Sequence, residues 1–112
     1  MPPSRYLSEF ELHVLLAVRA LDDGAYGGSI RRAIADRSGR QVWIGPLYSA
    51  LAKLEDQGLL HATMGDPLPV PGGRSRRYFQ LTARGESALR QSLTMLDKMR
   101  QGAGLKAPRR AR

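Results

Sequence analysis

The stretch Gly45-Pro46-Leu47-Tyr48-Ser49-Ala50-Leu51-Ala52-Lys53-Leu54-Glu55-Asp56-Gln57-Gly58 has two distinct faces. Leu47, Ala50, Leu51 and Leu54 recur at i, i+3, i+4 and i+7, the spacing that aligns side chains along one side of an α-helix. The opposite side carries Tyr48, Ser49, Ala52 and Lys53. A proline suits the first helical position, whose N–H has no partner inside the helix, so the helix is expected to open at Gly45-Pro46. Gly58 is expected to stop it. Small or polar groups at Gly45, Ser49 and Ala52 would let its outer face lie deep in a groove.

C-terminal to this helix the period changes. Leu60, Ala62 and Met64 alternate with Leu59, His61 and Thr63, the pattern of a half-buried strand. Asp66–Gly73 holds three prolines and two glycines and reads as a loop. Arg74–Leu81 reads as the returning strand, with Phe79 and Leu81 inward and Tyr78 and Gln80 outward. The result is a β-hairpin with a long tip and Arg74, Arg76 and Arg77 at the base of that tip. Thr82 is the expected cap of a last helix of about 18 residues. Leu89, Leu93 and Leu96, with Met95 and Met99 beside them, form a narrow seam on it. A lone terminal helix with such a seam usually needs a partner.

N-terminal to the opening stretch there are two further helices. Ser8 and Glu11 have the spacing of a capping box, and Leu7 is placed to staple against Leu12. Leu12, Val14, Leu15, Ala17, Val18 and Leu21 then cover much of a helical circumference. Such a helix is either the centre of the core or buried against a second chain as well. Asp22-Asp23-Gly24 ends it. The second helix runs from Gly27 or Gly28 to Ser38, with Ile30, Ala33 and Ile34 inward and Arg31, Arg32 and Arg37 mostly outward. Gly39 is its expected left-handed cap. Gln41–Ile44 is a short extended link. Trp43, the only tryptophan, is expected to pack in the core between helices two and three, and lining an effector pocket is the alternative.

Three helices, a two-stranded hairpin and a final helix make a mainly α domain with the order of a winged helix-turn-helix. In that architecture the third helix enters the major groove of duplex DNA and the hairpin, or wing, lies over the backbone. Phosphates flank the groove, so arginines and a hydroxyl on the wing, Arg74, Arg76, Arg77 and Tyr78, are the expected phosphate contacts. On helix three, Tyr48 and Ser49 face the DNA in this reading, with packing on the wing as the alternative for Tyr48. Lys53 either meets a phosphate or is solvated, and the same choice applies to Arg31 and Arg32. The expected division is residues 1–82 for the DNA-binding domain, 83–101 for a dimerisation helix built on Leu89, Leu93, Leu96 and Met99, and 102–112 for a disordered basic tail.

Charge alone is weak support. The chain carries a formal net charge of +8. Lys106, Arg109, Arg110 and Arg112 supply half of it, and without them 14 basic residues face 10 acidic ones. Other chemistries are easier to exclude. The absence of cysteine rules out disulfides, thiolate zinc sites and a cysteine nucleophile. No apolar run approaches the roughly 20 residues that span a bilayer. The N-terminus lacks the apolar region of a signal peptide, so a cytoplasmic protein with no membrane partner is expected. His13 and His61 lie far apart in the sequence, and Gly27-Gly28 lacks the lysine of a phosphate-binding loop. No acid, base and nucleophile combine at a workable spacing, so neither an enzyme nor a cofactor is expected.

The run Glu11–Val18, the segment Ala25-Tyr26-Gly27-Gly28-Ser29-Ile30, the stretch Gly45–Leu60 and the wing Gly72–Thr82 together resemble the PadR family of winged-helix repressors. The resemblance covers roughly residues 7–100. Pro46 departs from the threonine or valine usual at that point, and the loop before the wing arginines is longer and richer in proline. The resemblance implies a homodimer formed through the last helix, with help from the first. It also implies repression of a nearby promoter at a pseudo-palindromic operator, in some members relieved by a small-molecule effector. A winged-helix module for protein–protein contact, without sequence-specific DNA binding, is the alternative function.

Overall fold

The computed structural model describes residues 6–67, 71 and 75–106. Along them run α1 (Glu9–Leu21), a 3-10 turn (Asp22–Gly24), α2 (Gly27–Ser38), α3 (Ile44–Asp56), β1 (Leu60–Pro67), β2 (Ser75–Leu81) and α4 (Ala83–Gly102). The two strands pair antiparallel, Leu60 opposite Leu81 and Ala62 opposite Phe79. This is the expected winged helix-turn-helix.

Local chemistry sets the helix ends. Ser8 Oγ accepts from the Glu11 N–H at 3.1 Å, while Glu11 Oε1 accepts from the Ser8 N–H at 2.8 Å, completing the capping box. Thr82 Oγ1 caps α4 by accepting from the Gly85 N–H at 3.0 Å. Gly39 and Gly58 stop α2 and α3 at φ of 72° and 76°, a region that penalises a Cβ. At the end of α3 the Gly58 N–H donates to the Glu55 carbonyl and the Leu59 N–H to that of Leu54. These bonds satisfy the last carbonyls and turn the chain directly into β1.

One core joins all the elements. Val14, Leu15 and Val18 of α1 meet Ile30 and Ile34 of α2, Leu47, Leu51 and Leu54 of α3, Leu60 and Phe79 of the hairpin, and Leu89 of α4. The stripe on α3 is buried as expected, with Ala50 half-buried at its edge. The hairpin is tied to the helices by backbone: the Phe79 N–H donates to the Ala25 carbonyl at 2.8 Å, and Tyr26 and Tyr78 form a β-bridge. The wing is thereby fixed to the start of α2.

Several expectations need correction. Helix α3 opens at Ile44 with Trp43 as its N-cap, so Pro46 is the third helical residue rather than the first. Its missing N–H costs nothing there, because the first four N–H groups of a helix have no internal partner. Trp43 is 63% exposed and lies outside the core; Val42 takes the buried place in that link. Strand β1 continues through Asp66 and Pro67, which were expected in the loop, and its register shifts between Met64 and Pro67. Irregular pairing near the end of a hairpin tolerates a proline that a regular ladder would not. Met64, near the register shift, is exposed. Helix α4 reaches Gly102 and is closed by bonds from the Gly104 and Leu105 N–H groups to the Gln101 and Arg100 carbonyls. The helix thus runs one residue past the expected boundary at 101. The rest of the expected tail, 107–112, lies outside the described residues.

Candidate nucleic-acid interface

The exposed side of α3 and one face of the hairpin form the candidate site. Tyr48, Ser49, Ala52 and Lys53 are all exposed, as the sequence period requires. Tyr48 leans on the start of α2: a Cβ at Gly27 would lie 2.6 Å from its Oη. A Cβ at Gly28 would lie 2.9 Å from the Tyr26 ring in the same way. The glycine pair thus makes room for two aromatic rings. Ser29 holds the turn before α2, its Oγ accepting from the Tyr26 N–H at 2.9 Å.

On the hairpin, alternation divides the cations. Arg76 and Tyr78 share one face. The Arg76 guanidinium carbon sits 4.2 Å above the centre of the Tyr26 ring, and Tyr26 meets Tyr78 edge to face at 5.8 Å between centroids. A guanidinium on an aromatic face keeps its charge while losing freedom, which pre-orients its N–H groups for an anionic partner. Tyr78 is accordingly half-buried and part of the wing's own packing.

Arg77 is on the other face, with Phe79. One of its guanidinium nitrogens donates to both carboxylate oxygens of Glu55 on α3, at 2.6 Å each. The Arg77 side chain is 54% exposed and that of Glu55 33%, so the pair is a surface ion pair, worth about 0–1 kcal/mol. Arg74, the remaining wing arginine of the sequence reading, lies outside the described residues.

Two further cations have structural partners. Lys53 Nζ lies 3.8 Å from Oε2 of Glu11, a buried carboxylate on α1. Arg31 Nε donates to the Val42 carbonyl at 2.7 Å and so fixes the link that delivers the chain to α3. Sequence reasoning singled out neither Tyr26 nor Glu55. The glycine pair after Tyr26 was a signal that rings needed space there; Glu55 carried none.

On α4 the seam residues separate. Leu89 is 2% exposed and packs into the core of its own chain, so it is not available to a second one. Further along the helix Leu93, Leu96 and Met99 are exposed. No cluster of three or more metal-binding side chains occurs among the described residues. No helix among them is long and apolar enough to cross a membrane.

Comparison with known proteins fits this geometry. Residues 15–91 match the model of the transcriptional regulator PadR-like family. A PadR-like transcription factor from Bacteroides fragilis superposes with a TM-score of 0.72 at 23% identity, covering 85% of this chain and 86% of that one. A PadR family transcriptional regulator from Eggerthella lenta gives 0.71 at 27% identity, covering 85% and 78%. A PadR family transcription regulator from Clostridium difficile gives 0.67 at 22%, covering 85% and 97%. No curated protein matches the chain. With most of its length matched by the family model and the whole winged fold shared with these structures, the chain belongs to the PadR-like family of transcriptional regulators.

Proposed function

We propose that the protein is a repressor that binds a pseudo-palindromic operator as a homodimer, laying α3 in the major groove and the wing against the backbone. The observation that carries this reading is the outer face of α3, small at Gly45, Ser49 and Ala52, beside a wing whose Arg76 is stacked on Tyr26. In this reading Tyr48 and Ser49 meet bases or phosphates. Arg74, Arg76 and Arg77 supply phosphate contacts, with Arg77 exchanging Glu55 for a phosphate oxygen. Lys53 and the Tyr78 hydroxyl contribute at the margins. A dyad-related pair of recognition helices implies half-sites about one DNA turn apart. A footprint on the DNA next to its own gene should protect two such half-sites; no protection even at low salt would refute the reading.

The dimer is proposed to form through the exposed end of α4. Leu96 is 58% and Met99 70% exposed in the single chain, with Leu93 beside them. Leu16 of α1 is also exposed, which suits it to contribute from the first helix. Sedimentation of the full chain at micromolar concentration should show a dimer. Leu96→Asp with Met99→Asp should give a folded monomer, since neither side chain supports the core. A monomeric full chain would remove the dimer from the proposal.

A further inference from the structure

Apart from Lys53, whose ammonium lies against Glu11, the outer face of α3 lacks the side chains that read purines through paired hydrogen bonds. From Ile44 to Asp56 there is no arginine, asparagine or glutamine. The arginine–guanine and asparagine– or glutamine–adenine pairs are therefore closed to this helix. Ahead of Lys53, the hydrogen-bonding side chains exposed on it are Tyr48 and Ser49, and a hydroxyl discriminates poorly because it both donates and accepts.

The same region presents carbon instead. Trp43, the N-cap, is 63% exposed and Ile44, the first helical residue, is 45% exposed. Ile44 lies one turn from Tyr48, so the two share a flank of the helix. Ala52 and Gly45 are exposed and small, allowing close approach. Trp43 and Ile44 are consecutive in the chain and both open to solvent at the start of the helix, so one apolar partner could cover both. In the major groove one base edge is matched to such a surface: thymine, through its C5-methyl group.

We infer that α3 reads thymine methyl groups, with Ile44 and Trp43 as the apolar contacts. The recognition residues of this chain therefore include two that hydrogen-bonding logic would pass over. The inference rests on the DNA binding proposed above. The arginine-stacked wing supplies affinity without sequence information, and the carbon surface at the start of α3 supplies the choice of base.

The test uses the full chain and a duplex recovered by selection from a random pool. Each thymine in turn is replaced by deoxyuridine, which deletes the methyl group and keeps the base pairing. Burial of one methyl corresponds to about a four-fold change in Kd. A loss of that size is expected at one or two positions of each half-site, with the others unchanged. Ile44→Ala or Trp43→Ala should bind the thymine duplex more weakly and discriminate less against its deoxyuridine form. Both residues are exposed, and an unchanged thermal melt would show that the fold is intact. Because Trp43 is the only tryptophan, its fluorescence should change on binding. Equal affinity for thymine and deoxyuridine at every position would overturn the inference and leave DNA binding standing. Discrimination undiminished in both variants would assign it to groove shape and overturn the role of these residues. Failure to bind any selected duplex would overturn the inference together with the proposed function.

Discussion

Replacing Arg74, Arg76 and Arg77 together by alanine is expected to reduce affinity for operator DNA by about 100-fold or more at moderate salt. Each arginine that neutralises a phosphate releases a counterion, and a dimer would lose the contacts of both wings. The slope of log Kd against log salt should therefore shrink by up to about 5. The single substitutions should differ. Arg76 is already oriented by the Tyr26 ring, so Arg76→Ala should lose most of what that contact gives. Arg77 must first leave Glu55, so Arg77→Ala should cost less, and Glu55→Gln should tighten binding several-fold by freeing the guanidinium and removing a nearby negative charge. Fluorescence anisotropy across a salt series would measure all of these. A folded triple variant with the parent's affinity and salt slope would show that the wing does not touch DNA.

The largest effect on stability is expected at a residue with almost no chemistry. Gly85, in the first turn of α4, is packed so closely on the chain between α3 and β1 that a methyl group would run into the Leu59 carbonyl. The backbone there is fixed on both sides. The Thr82 N–H donates to the same carbonyl at 3.1 Å, and Thr82 Oγ1 donates to the Gly58 carbonyl at 2.6 Å. Alanine would gain roughly 1 kcal/mol of helix propensity but would force α4 away from this seam. The net expectation for Gly85→Ala is a loss of about 2–4 kcal/mol, in the range of severe overpacking. Gly102→Ala is the control: nothing lies near its Cβ position, so it should be neutral or slightly stabilising. Denaturant unfolding of both variants decides the matter. Equal stability for the two would mean that the α4 junction yields without cost.

Both results bear on how the molecule divides its work. The junction held by Thr82 and Gly85 attaches α4 to the chain leaving α3, so the proposed dimer helix and the proposed recognition helix meet at one corner. A change at that corner would alter the spacing of two half-sites without touching a DNA contact. Gly85→Ala is therefore expected to weaken binding to a fixed operator beyond its effect on stability.

The helices, their caps and the α3 stripe were legible in the sequence because they depend on neighbours within a turn or two. Ser8 finds Glu11 three residues away, and Leu47, Leu51 and Leu54 fall on one side whatever the rest of the chain does. The hairpin was legible for a similar reason, since Phe79 and Tyr78 must face opposite ways on a strand. Where a residue sits in a short link, no period applies. Trp43 was expected inside on its hydrophobicity alone, but Val42 is the residue the link turns inward.

The sequence by itself determined the winged helix-turn-helix order, the outer face of α3 and the presence of a basic wing. Only the tertiary structure decided which cations are engaged and which apolar residues are left over. Arg76 rests on a ring from the start of α2, Arg77 is held by a carboxylate from α3, and Leu89 is taken by its own core. Each outcome depends on a partner distant in the chain, and local periodicity fixes the direction of a side chain without fixing what it will meet.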